Sequence, residues 1–305
     1  MSESANLAAL QQKFNLPGRI QIERGNGGLT KLTITAPSAA AEIYLHGAHV
    51  THYQPTGHAP VLMMSRKSLF QADKPIRGGV PICWPWFGPR EGAPDAPMHG
   101  FARVLEWEIE SITPTGDTIA VALSLRDSDA TKKWWPHKFH LRYVITVGPA
   151  LTLSFVTNNT CEKPFTFTQA LHPYFAISDI RNISVTGLEN TSYAERIYQP
   201  EVQKQGGEAI RFTRRTDRVY YDTRGPLTIH DPGLKRAITE SKEGSKTTVV
   251  WNPWSEWPKT VPDFEEDEWP VMVCVEPSNA HQFNVTLKPG ESHLMRSVVQ
   301  VKADQ

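Results

Sequence analysis

Short runs of alternating or β-branched residues recur along the chain, and clusters of Gly, Pro, Asn and Asp separate them. They fall at 29–35 (LTKLTIT), 41–46, 60–64, 118–125 (TIAVALSL), 139–147 (FHLRYVITV), 151–157 (LTLSFVT), 183–187, 247–251, 271–276, 283–287 and 294–301. A period of two marks strands that bury one face, and β-branched residues fit a pleated surface. No long helical pattern alternates with these runs, which argues against a doubly wound or barrel α/β fold. One helix is predicted, over ANLAALQQKF at 5–14, where apolar residues keep helical spacing and Pro17 follows. The expectation is an all-β chain with a short N-terminal helix, read as one domain over 1–305 with its core at about 29–301.

Composition narrows the function classes. With 39% hydrophobic and 21% charged residues, the 305-residue chain can bury a sizeable core. Lys+Arg and Asp+Glu both total 32, so no net field attracts nucleic acid or an anionic membrane, and any anion is read by local arginines. Cys83, Cys161 and Cys274 are widely separated and lack a CxxC pair, which excludes a disulfide framework and a zinc ribbon and implies a reducing compartment. The N-terminus has neither the basic start nor the apolar core of a secretory signal, so a cytoplasmic protein is expected. His46, His49 and His52 recur every three residues, but on a strand interrupted by Gly47 they do not share a face. No metal and no cofactor are expected.

One stretch reads as a binding surface. From Leu69 to Trp107 the chain gathers Gly78 and Gly79, Pro75, Pro81, Pro85 and Pro89, the aromatics Trp84, Trp86 and Phe87, and the cations Arg77 and Arg103. Two carboxyl or imidazole groups elsewhere sit before prolines at the ends of strand-like runs: His172 before Pro173 and Glu276 before Pro277. A carboxylate that completes the apolar run VMVCVE needs a partner or a task. The region 252–270 holds four prolines and the acidic cluster Glu265, Glu266 and Asp267, and reads as a long loop with a solvated acidic patch.

RGGVPICWPWFG at 77–88, HGFAR at 99–103, LHPYF at 171–175, TDRVYYDT at 216–223 and VCVEPSNAHQ at 273–282 together resemble the hexose-6-phosphate mutarotases, a branch of the aldose 1-epimerase family. The likeness runs from about Leu29 to Val301. It implies a galactose-mutarotase-like β-supersandwich and the interconversion of α and β anomers of D-glucose 6-phosphate and related hexose 6-phosphates. It also implies Glu276 as general base at the C1 hydroxyl and His172 as general acid at the ring oxygen. His99 and Asp217 then hold sugar oxygens, with Asp222 as fallback, and Arg77 and Arg103 read the phosphate, with Lys67, Arg66 and Lys74 as further candidates. Gln169 and Asn279 flank the two motifs as supporting residues, Asn279 rather as a structural cap. The resemblance further implies that the 252–270 loop closes over the sugar, with Asn252 and Pro253 near its hinge and Trp254 or Trp257 as a platform. Two other readings stay open: an aldose 1-epimerase of unphosphorylated sugars, and a carbohydrate-binding module without turnover. The expected partner is a small sugar phosphate, the expected state a monomer.

Overall fold

In the computed structural model, which describes residues 3–304, the helix forms over Glu3–Phe14 and nearly everything after it is strand or turn. The strands build two eight-stranded sheets, a four-stranded sheet and a two-stranded ribbon, and every paired ladder is antiparallel. The back sheet runs Ser184–Thr186, Leu227–Asp231, Arg236–Glu243, Ser292–Ala303, Ala150–Asn159, Phe139–Val147, Thr118–Arg126 and Glu108–Thr115. The front sheet runs Gln199–Lys204, Ser192–Glu195, Thr216–Tyr221, Thr247–Asn252, Met272–Asn279, Gln169–Leu171 and Ile82–Cys83, with Tyr174–Ala176 also on Met272–Asn279. No helix among the described residues is long and apolar enough to cross a membrane.

Alternation explains the layers. In Phe139–Val147 and Ala150–Asn159 every second residue is buried, and Tyr143, Phe155 and Val299 of the back sheet meet Val250, Val273 and Val275 of the front. Each fully buried side chain of this kind contributes roughly 1.5–3 kcal/mol. Met272–Asn279 departs from alternation because all of it is buried. Its second face, with Met272 and Cys274, packs on Val219, Val249, Trp251, Tyr174 and Phe264.

Two expectations change. The 60–64 run makes only single bridges, Leu62 with Phe175 and Met64 with Gly78; on the second side Gly78 and Gly79, left-handed at φ 104° and 59°, turn the chain away after one pair. Arg236–Glu243 is a strand that the pattern does not signal, since its inward positions include charged side chains. Arg236 donates from Nη1 and Nη2 to the carbonyls of Ala59 and Ala176, its Nε staying buried without a partner among the described residues, and Glu240 accepts from Ser297 at 2.6 Å.

Candidate active site

Register places the two groups with acid and base chemistry side by side. Gln169 lies opposite Asn279 and Tyr174 opposite Cys274, so the short ladders on either side of His172 and Pro173 share one register across the interruption. His172 therefore falls opposite Glu276, which on its other side pairs with Val249 and, beyond it, Val219. The next row on the same face reads Asp217, Trp251, Cys274, Tyr174. Cross-strand neighbours project to one face. These rows floor a cleft of about 510 Å³, and Arg77, His99, Arg103, His172, Asp217 and Glu276 all line it.

Glu276 does not end its strand, as the sequence suggested; the strand continues through Pro277 to Asn279. A proline is tolerated there because the neighbouring strand is itself interrupted at His172 and Pro173. Gln169 and Asn279 are one residue out of phase with the row of His172 and Glu276 and do not line the cleft. Asn279 instead holds the Gly244–Lys246 turn, accepting from Lys246 N–H and donating to the Gly244 carbonyl.

His172 Nε2 is 3.3 Å from Glu276 Oε1, while His172 Nδ1 and Glu276 Oε2 are buried without a partner among the described residues. The His172 ring stacks on Tyr174 at 4.9 Å and meets Trp251 edge-on, which fixes its plane. Burial, helped by the charges of Arg103 and Arg77, pushes His172 down to about 3. Burial, helped by the Asp217 carboxylate, raises Glu276 well above the usual carboxyl range. An ionised glutamate beside a histidine of ordinary pKa, the assumption natural from sequence, is thus replaced by a pair holding one proton between them.

His99 sits in a left-handed turn at φ 63°, not at a strand start. Its Nδ1 accepts from Gly88 N–H at 3.1 Å, so the neutral ring carries its proton on Nε2. Burial, with Arg103 nearby, holds the ring far below its ordinary pKa, leaving His99 a fixed neutral donor at the cleft wall. Gly100 makes the turn possible: a Cβ there would stand 1.9 Å from the Trp84 carbonyl oxygen.

The arginines differ in commitment. Arg77 forks onto Asp263 at 3.1 and 3.3 Å and donates to the Tyr174 hydroxyl at 3.2 Å. Burial works against its charge, yet Tyr174 and Asp263 raise its pKa. Arg103 is buried and donates to the Met98 carbonyl at 2.6 Å, with its Nε unpartnered among the described residues. Arg196 and Arg215 also line the cleft. Nothing in SYAERIYQP singled out Arg196, because only the pairing of Ser192–Glu195 with Thr216–Tyr221 brings it beside Asp217; Arg215, two residues before Asp217 in FTRRTDR, carried no mark that separated it from Arg214.

Of the two candidate platforms, Trp257 walls the cleft under Arg77, whereas Trp254 packs on Trp269 at 4.6 Å. The acidic patch is not simply solvated: Glu265 pairs with Lys67 at 2.9 Å and Asp267 with Arg66. Those pairs tie the loop to residues 65–68, so Lys67 and Arg66 are occupied. Lys74 pairs with Asp73, and Asp222 with Arg224, both away from the cleft. Asn252 closes the loop base, donating to the carbonyls of Trp269 and Met272 at 2.9 Å.

His46 and His49 donate to the carbonyls of Lys74 and Gly78, so they support the turn that carries Arg77. The fold does create one group with metal-ligand spacing that the linear sequence hides: atoms of His172, Cys274 and Glu276 lie within 4.8 Å of one another.

The aldose 1-epimerase family matches residues 30–300. A protein of Cenchrus ciliaris, provisionally named a glucose-6-phosphate 1-epimerase, is 37% identical over 87% of this chain and 82% of its own. One from Escherichia coli with the same provisional name is 33% identical over 88% and 90%. The crystal structure of a provisionally assigned mutarotase from Salmonella typhimurium superposes with a TM-score of 0.89 at 29% identity, covering 96% of both chains. The layered sheets are the galactose-mutarotase-like supersandwich. Matched from its second strand nearly to its last, this chain belongs to the aldose 1-epimerase family.

Proposed function

We propose that the chain interconverts the α and β anomers of hexose 6-phosphates, D-glucose 6-phosphate first among them. The carrying observation is the order of groups across the floor, Asp217, then Glu276, then His172, with Arg77 and Arg103 beyond. A pyranose read in the direction C2, C1, O5, C5 follows the same order. Its 6-phosphate then falls on the side of Arg77 and Arg103, where guanidinium donors suit phosphate oxygens.

The pair's proton, which rests on Glu276, first passes to His172; Glu276 then takes the proton of the C1 hydroxyl as the C1–O5 bond breaks, and O5 takes the proton from His172, leaving the open aldehyde. Rotation about C1–C2 presents the other carbonyl face. On reclosure His172 recovers its proton from the C5 hydroxyl, and Glu276 returns its own to the former carbonyl oxygen. The cycle neither gains nor loses a proton. His99 Nε2–H steadies a sugar oxygen throughout.

One observation favours a second reading, an aldose 1-epimerase of plain sugars: Arg77 is already held by Asp263 and Tyr174. Polarimetry decides between them. A kcat/KM for α-glucose 6-phosphate about 10- to 100-fold above that for glucose or galactose is expected if charge-assisted contacts read the phosphate. Equal turnover of the free sugars would favour the second.

A further inference from the structure

At the Asp217 end of the cleft, charges are distributed unevenly. The buried Glu195 draws Arg214 at 3.4 Å and Arg218 at 3.6 Å. Arg196 and Arg215 are left over. Arg196 donates its backbone N–H to the Asp217 carbonyl at 2.9 Å, holds Nη1 3.9 Å from Asp217 Oδ1, and lies over the Phe87 ring. Arg215 Nε is buried and lacks a partner among the described residues. At 3.9 Å the Arg196–Asp217 pair is too long to be a hydrogen bond. An open carboxylate beside an open guanidinium suits a hydroxyl, which donates to the first and accepts from the second.

We propose that Arg196, backed by Arg215, forms with Asp217 the reader of the sugar hydroxyl next to the anomeric carbon. The assignment rests on the orientation given above, which puts C2 on Asp217's side of Glu276. Asp217 lies two strands and one row from Glu276, roughly 12 Å between backbones, and both side chains line the same cleft. Arg215 acts as a positioning residue. Burial, Glu195 and Glu276 oppose the Asp217 charge; Arg196, Arg215 and His281 favour it.

The test pairs a substrate deletion with a side-chain deletion. On the wild type, 2-deoxyglucose 6-phosphate should show kcat/KM about 10- to 100-fold below glucose 6-phosphate, as for one lost charge-assisted contact. Arg196→Gln should lower kcat/KM for glucose 6-phosphate by a similar factor, mainly through KM, and Arg196→Lys should restore part of it. Combining Arg196→Gln with the 2-deoxy substrate should be no worse than either deletion alone. Arg215→Gln should move the acid-side rise of KM to higher pH. Losses that multiply, or an unmoved KM profile, overturn the proposal. The phosphate reading fails separately, if the wild type does not prefer glucose 6-phosphate to glucose; the same cycle then runs on glucose and 2-deoxyglucose.

Discussion

The proton shared by His172 and Glu276 is the chemical unit of this site, and burial fixes how tightly it is held. Charged forms of either residue are costly in the dry floor, so the one-proton pair is favoured across a wide pH range. Uptake of a second proton follows His172, down at about 3, and loss of the first follows Glu276, displaced upward. We expect kcat/KM for glucose 6-phosphate to be flat through neutrality, apart from an inflection near pH 6 from the substrate phosphate. The acid limb belongs to His172 and the alkaline limb to Glu276, the reverse of the order that an ordinary carboxyl and an ordinary imidazole give. Limbs at the ordinary values of 4.5 and 6.5 would show that burial does not shift the pair. Glu276→Gln and His172→Asn should each lower kcat by roughly two to four decades with little change in binding, measured by polarimetry corrected for spontaneous mutarotation. Glu276 also lowers stability as pH rises: a raised folded pKa contributes stability below the unfolded value of 4.5 and loses it above. Thermal melts of Glu276→Gln should therefore gain on wild type from pH 5 to pH 8, and a constant difference would contradict a neutral buried carboxyl.

At the scale of elements, turns carry the site's walls and the sheet carries its floor. The His99–Gly100 turn shows the cost of placing a neutral donor at the cleft wall. Gly100 is left-handed at φ 79° with the Trp84 carbonyl against it, so Gly100→Ala should destabilise the protein by at least about 1–3 kcal/mol and displace His99. Urea unfolding measures the first and a rise in KM the second; a variant as stable as wild type would mean that the turn rearranges freely. The 252–270 loop is clamped at its base by Asn252 and along its length by Asp263, Glu265 and Asp267. Asp263→Asn removes the charge that anchors Arg77 but keeps the shape of the side chain. KM for glucose 6-phosphate should move by about 10-fold, with kcat changed less. An effect confined to kcat would place Asp263 in the chemical step instead.

Across the whole molecule, the layered sheets bring together the two halves of the proposed reaction centre, His172 and Glu276, from sequence positions more than a hundred residues apart. The same convergence creates the His172, Cys274 and Glu276 group, which raises the question of a metal. Proton transfer by the pair needs none, so exhaustive EDTA treatment should leave the rate unchanged; loss restored by added Zn²⁺ would assign that group a ligand role. The sequence by itself determined the all-β class, the short helix, and the separate motifs around Arg77, His99, His172, Asp217 and Glu276, because period-two alternation and turn chemistry are local properties. Strands such as Arg236–Glu243 stayed hidden, since their inward charges find partners only in three dimensions. Tertiary structure alone decided that His172 stands opposite Glu276, that Asp263 occupies Arg77, and that Arg196 borders Asp217. Register between distant strands and the depth of burial are collective properties of the packed sheets, and those two quantities set which groups meet and which of them hold a proton.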